Sequence, residues 1–92
     1  MRYNVIISSD AKHHISAFRK AGNKILVRKI GRIIDDLEKH PFTGIGKPER
    51  LKYLPGNTWS RRIDSKNRIV YSVEEAVITV TVISAAGHYG DK

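Results

Sequence analysis

A chain of 92 residues holds one domain, 1–92, with one modest core, which excludes a two-domain cofactor enzyme. Its 17 Lys and Arg against 9 Asp and Glu leave a formal net charge of +8, the balance of a small domain that meets a polyanion: RNA, DNA, an anionic membrane or an acidic protein. The absence of cysteine excludes disulfides and thiolate metal sites, and the apolar run Val5 to Ser9 is too short for a signal-peptide core or a membrane span, so the chain is read as cytoplasmic.

Tyr3 to Ile7 is a short β-prone run and predicts a first strand. Ser9 and Asp10 are suited to cap a helix, and Ala11, Ile15 and Phe18 recur at helical spacing as far as about Lys20. Gly22-Asn23 breaks that helix. A second helix is predicted from about Lys24 to Lys39, with an apolar stripe of Leu26, Ile30, Ile33, Ile34 and Leu37. Two closely joined helices imply an antiparallel hairpin, which Pro41 closes from downstream. Phe42 to Pro48 carries Gly44 and Gly46 and reads as a loop.

The remainder predicts a meander: a short strand near Arg50 to Leu54, a turn at Pro55-Gly56-Asn57, and a strand from Thr58 to Ile63. A turn at Asp64 to Asn67 follows, then strands Arg68 to Val73 and Ala76 to Ser84 joined at Glu74-Glu75. The order β-α-α-β-β-β-β makes an α+β domain, one antiparallel sheet packed on a helical hairpin. With Glu74-Glu75 as a two-residue turn, Tyr71 lies opposite Ile78 and Ile69 opposite Val80, an apolar face for the helices. Arg68, Val70 and Ser72 then share a half-polar, open face with Ser60 and Arg62. Trp59 and Ile63 point to the core, and Arg61, on their side, is expected to reach out past an edge.

Charge concentrates in one window. Pro41 to Arg68 carries seven bases (Lys47, Arg50, Lys52, Arg61, Arg62, Lys66, Arg68) against Glu49 and Asp64, and this is where a phosphate chain would be drawn. His13, His14 and His40 are read as surface residues, because adjacent histidines on a helix diverge and make a poor metal pair.

Pro41-Phe42, Gly44, Gly46-Lys47-Pro48-Glu49, Leu51-Lys52, Trp59-Ser60-Arg61-Arg62-Ile63, Arg68, Val70-Tyr71 and His88-Tyr89 together resemble the YoeB/Txe family. These are toxins of the RelE superfamily from bacterial toxin–antitoxin modules, and the derived element order is the RelE-like fold that this resemblance implies. It further implies a ribosome-dependent endoribonuclease that cuts mRNA in the decoding site, with an acidic antitoxin partner, a toxin–antitoxin hetero-oligomer and no cofactor. By position, Glu49 matches the general base, Arg68 the phosphate-charge stabiliser, His88 the general acid and Tyr89 a residue that orients or stacks on substrate. Lys52 and Arg62 match auxiliary phosphate contacts, and Lys47 belongs to the same basic stretch.

The chemistry supports such a set independently. RNA cleaves itself when its 2′-OH attacks the adjacent phosphate, which requires a base at the 2′-OH, a cation at the phosphorane oxygens and an acid at the leaving 5′-oxygen. Glu, Arg and His supply these roles without a metal, and the 2′-OH selects RNA over DNA. Two other readings stand beside it: a ParE-like toxin of the same fold that inhibits DNA gyrase without nuclease chemistry, and a basic RNA-binding domain that needs the charge alone.

Overall fold

The apolar stripe of the second helix is the frame on which the rest packs. The computed structural model describes residues 2–87. In it α2 spans Lys24–Lys39 and buries Leu26, Ile30, Ile33 and Leu37, the i, i+4, i+7, i+11 face of one helix. Its N-cap is Asn23, whose side chain accepts from the Leu26 amide at 3.2 Å. The first helix, α1, spans Ser9–Lys20. Its cap is Ser8, one residue before the expected Ser9. The Ser8 hydroxyl accepts from Ala11 N at 3.1 Å and donates to the Ile83 carbonyl at 2.8 Å, so it also ties the helix to the sheet. Among the described residues no helix is long and apolar enough to cross a membrane.

Five strands, β1 Asn4–Ile7, β2 Glu49–Arg50, β3 Thr58–Arg62, β4 Arg68–Glu74 and β5 Thr79–Ser84, form one sheet in the order β1-β5-β4-β3-β2. The α+β arrangement of a sheet on a helical hairpin is as expected, and β2 to β5 form an antiparallel meander. The first strand departs from an all-antiparallel sheet: β1 lies parallel to β5, with Val5 beside Val80 and Ile7 beside Val82. That register puts Val5 and Ile7 against the core that Val80 and Val82 line. β2 is shorter than expected. Pairing ends at Arg50, and Leu51 turns inward to be buried while its amide bonds the Thr58 carbonyl at 2.8 Å.

The β4–β5 connection is also longer than a two-residue turn. Glu75–Val77 form a 3-10 turn and Ile78 adopts a left-handed conformation at φ 48°. Tyr71 therefore pairs with Val82, not Ile78, and Val73 with Val80. From Tyr71 to Glu74 the register slips by four residues, an even number, so these side chains keep their expected faces, and a bulge between Val70 and Tyr71 then sets Ser84 beside Val70. Ile69, Tyr71, Val73, Val80 and Val82 all lie in the main core with α2, whereas Ile78 is left exposed. Fully burying such aliphatic side chains contributes roughly 1.5–3 kcal/mol each.

The other face is not open along its length. Thr58, Ser60, Val70 and Ser84 are buried there, and the loop after β2 brings Leu54, Pro55 and Gly56 beside Thr58, Ser72 and Ile83 around a hollow of about 430 Å³. What remains accessible is the end of the sheet where Glu49, Arg62 and Arg68 meet.

Candidate active site

A buried arginine sets the loop that leads into this end of the sheet. Arg61 lies on the core side of β3, as alternation requires, but its head does not reach solvent: the residue is 0% exposed. Its guanidinium donates to Asp36 on α2, to the carbonyls of His40, Thr43 and Ile45, and to the Tyr71 hydroxyl at 3.2 Å. The Tyr71 hydroxyl in turn donates a hydrogen bond to the Pro41 carbonyl at 2.6 Å. A desolvated guanidinium is tolerated only when its donors are matched and its charge is paired, and these partners meet both conditions. Burial raises the Tyr71 pKa above the ordinary phenol value, and the Arg61 charge opposes that rise.

Three of the accepting carbonyls belong to residues 40–45, so one side chain clamps the whole loop onto α2 and the sheet. The clamp requires glycine at 44, where φ is +123° and a Cβ would overlap the Asp36 carboxylate. It requires glycine at 46 too. There the carbonyl accepts from Arg62 N at 2.7 Å, and a Cβ would meet the Arg62 carbonyl at 2.9 Å. Trp59 and Phe42 close the outside of the loop, their rings 5.2 Å apart, and the Trp59 indole donates to Asn57 at 2.8 Å. Both pack against the main core.

From this loop the chain enters Lys47, at φ 52°, then Pro48 and Glu49. Glu49 pairs with Ser60, and Arg62 pairs directly with Arg68 across the β3–β4 ladder. The Glu49 carboxylate and the Arg68 guanidinium meet at 3.4 Å. The acid is 63% exposed and the arginine 24%. An ion pair so open to water contributes only about 0–1 kcal/mol to stability, so the fold does not depend on it and an incoming phosphate can exchange for the carboxylate at little cost. Lys47, Arg62 and Lys29 of α2 line a further hollow of about 320 Å³ beside this pair of strands. Lys52 is exposed beyond β2 and makes no hydrogen bond or ion pair among the described residues.

The turn between β3 and β4 is braced by Asp64, whose Oδ1 accepts from the amides of Lys66 at 2.8 Å and Asn67 at 2.7 Å. The Lys66 amide bond, more than any other contact, holds the Asp64 pKa below the usual carboxylate range. Asn67 in turn accepts from Gly87 N at 2.9 Å, and Arg68 N donates to the Gly87 carbonyl at 3.1 Å. The chain after β5 is thereby fastened next to Arg68. His14 helps from α1: its Nδ1 accepts from Ala85 N at 3.1 Å, so this half-buried histidine, expected as a surface residue, ties α1 to the end of β5. His88 follows Gly87 in sequence, and both His88 and Tyr89 lie outside the described residues.

The structure thus brings Glu49, Arg62 and Arg68 together, with Lys47 alongside, and shows no bond from Lys52 to any of them. Asp36, Arg61 and Tyr71 were not foreseen as parts of the assembly. Their signal was present in the core-side parity of Arg61 and in Asp36 lying between the buried positions Ile33 and Leu37 of α2.

A two-helix hairpin on a five-stranded mixed sheet is the fold that this chain shares with YoeB toxins of known structure. The YoeB/ParE toxin from Agrobacterium tumefaciens superposes with a TM-score of 0.84 at 31% identity, over 94% of this chain and 99% of that one. A chain of the YoeB-YefM complex from Staphylococcus aureus matches with a TM-score of 0.77 at 34% identity, over 97% of this chain and all of that one. In sequence, toxin YoeB of Mycobacterium bovis is 40% identical over 72 residues, 78% of this chain and 82% of that protein. The family model for the YoeB-like toxin of bacterial type II toxin-antitoxin systems matches residues 8–89. The chain belongs to this family of YoeB-like toxins.

Proposed function

We propose that this chain is the toxin of a type II toxin–antitoxin module and a ribosome-dependent endoribonuclease that cuts mRNA by attack of the RNA's own 2′-OH. The observation that carries the reading is the 3.4 Å approach of Glu49 to Arg68 on an accessible sheet end, with Arg62 directly across the ladder from Arg68. Glu49 takes the 2′-OH proton as the oxygen attacks phosphorus. Arg68 balances the charge that gathers on the phosphorane oxygens. His88 gives its proton to the departing 5′-oxygen, and Tyr89 orients or stacks on the substrate. Lys47, Lys52 and Arg62 hold phosphates of the strand. No step in this sequence calls for a metal, and the products are a 2′,3′-cyclic phosphate and a 5′-hydroxyl.

A toxin that acts on ribosomes works in the cytoplasm. The partner in the module is an acidic antitoxin, whose charge answers the +8 of this chain and whose disordered segment folds on binding. The gyrase-inhibiting and purely RNA-binding readings give no role to a carboxylate set against Arg68 and are not favoured. Primer extension on mRNA from a cell-free translation reaction tests the proposal. Wild-type protein yields cuts at positions set by the ribosome, with cyclic-phosphate ends. Glu49→Gln retains the fold and loses about 10²-fold or more in cleavage rate. Intact mRNA with wild-type protein, or 3′-hydroxyl ends, would overturn it.

A further inference from the structure

Lys29, Lys47 and Arg62 come from three separate places in the chain: the second turn of α2, the loop before β2, and the end of β3. They line one hollow of about 320 Å³, together with Gly46, Asp64 and Ser65. Among the described residues none of the three cations has a carboxylate within ion-pair distance, since the pairs formed are Arg2–Glu38, Arg61–Asp36 and Arg68–Glu49. Asp64, the acid on the rim, is engaged elsewhere: its Oδ1 accepts two backbone amides of its own turn, and both its oxygens receive the Asn67 side-chain amide.

The convergence is held by backbone. Gly46 is locked to Arg62 by the 2.7 Å amide–carbonyl bond, and the next residue, Lys47, is held at φ 52°. A lysine in the left-handed region is a strained choice that only the surrounding structure sustains. Three cations around the single carboxylate of Asp64 leave the hollow with a net positive charge, and an anion that enters between them offsets their repulsion. Ser65 offers a hydroxyl beside them, a donor suited to phosphate oxygen.

We infer that this hollow is a second phosphate subsite, which takes a phosphate of the cleaved mRNA strand next to the scissile one and adds Lys29 to the substrate-binding residues. The assignment rests on the nuclease reading above. Its place follows from the ladder: Arg62, on the hollow's wall, is the direct cross-strand neighbour of Arg68, which faces the scissile phosphate. Lys29 reaches the strand from the helical layer, so the RNA is gripped from both layers of the fold. The subsite binds and positions, and does not enter the bond-making step.

The test is single-turnover cleavage of programmed ribosomes by wild-type protein, Lys29→Ala, Lys29→Arg and, as a control on the exposed end of α1, Lys20→Ala. Lys29→Ala raises the half-saturating concentration about tenfold, leaves the rate at saturation unchanged, and lowers the slope of log affinity against log salt by about 0.7, the share of one phosphate contact on a single strand. Lys29→Arg restores binding and Lys20→Ala matches wild type. A neutral methylphosphonate is then placed at each mRNA phosphate in turn around the cut. At one flanking position it weakens wild-type binding and has no further effect on Lys29→Ala. The inference is overturned if Lys29→Ala saturates like wild type, or if no mRNA position shows this non-additivity. Wild-type protein that leaves mRNA intact in the same reaction refutes the nuclease reading instead, and the two failures are thereby told apart.

Discussion

Asp36→Ala removes the only carboxylate among the described residues that faces the Arg61 guanidinium, which has no solvent exposure at all. Breaking a buried ion pair by deleting one partner costs about 3–5 kcal/mol, because the remaining charge is left uncompensated. Two features place this case at the lower end. Asp36 is itself 22% exposed, so water can enter the vacated space, and Arg61 keeps the three loop carbonyls and the Tyr71 hydroxyl as acceptors. A cost of about 3 kcal/mol is expected, a large part of the roughly 5–14 kcal/mol available to a domain of this size. At about 4–8 °C per kcal/mol, Tm falls by roughly 12–24 °C.

Urea unfolding followed by Trp59 fluorescence measures this directly, since the chain has one tryptophan and its ring lies against Phe42 of the clamped loop. Asp36→Asn, which keeps an acceptor but not the charge, falls between alanine and wild type. Replacing both partners by apolar residues, Arg61→Met with Asp36→Leu, costs less than Asp36→Ala alone, because no orphaned charge remains. A midpoint for Asp36→Ala within about 0.5 kcal/mol of wild type would show that the pair does not hold the loop.

Gly44→Ala attacks the same clamp from the other side, through a disallowed φ and the overlap with Asp36, and is expected to cost about 1–3 kcal/mol in the same urea assay. Ser8→Ala loses the α1 cap and the bond to Ile83 and lowers stability by about 1–2 kcal/mol, whereas Ser9→Ala stays within about 0.5 kcal/mol; equal effects would refute the assignment of the cap. Because the folded pKa of Asp64 is depressed, its contribution is present above the unfolded value of 3.8 and is lost as pH falls through the folded one. Stability measured against pH therefore declines less steeply below pH 4 in Asp64→Asn than in wild type, and parallel curves would count against it.

Periodicity and parity were enough to determine the two layers. Helical spacing of Leu26, Ile30, Ile33 and Leu37 defines α2 from end to end, since one face of a helix has to be apolar to pack on a sheet. Alternation in β3 to β5 assigns Ile69, Tyr71 and Val80 to the core and joins Arg62 to Arg68, and these assignments survive a four-residue slip in register because the strand period is two. Residue types and their order from Pro41 onward also carried the family.

Tertiary structure alone decided the rest, in each case because the deciding partner is distant in the chain. β1 joins β5 in parallel, across 75 residues of sequence between Asn4 and Thr79, and no local turn could announce that direction. The left-handed Ile78 sets the β4–β5 register through a backbone conformation for which isoleucine gives no signal. Arg61 has its charge partner on α2 and its carbonyl acceptors in the following loop, so a residue that alternation could only point inward, toward an edge, becomes the buried centre of the site's support. Lys29 gains its place beside Lys47 and Arg62 in the same way, when the helical layer is laid against the end of the sheet.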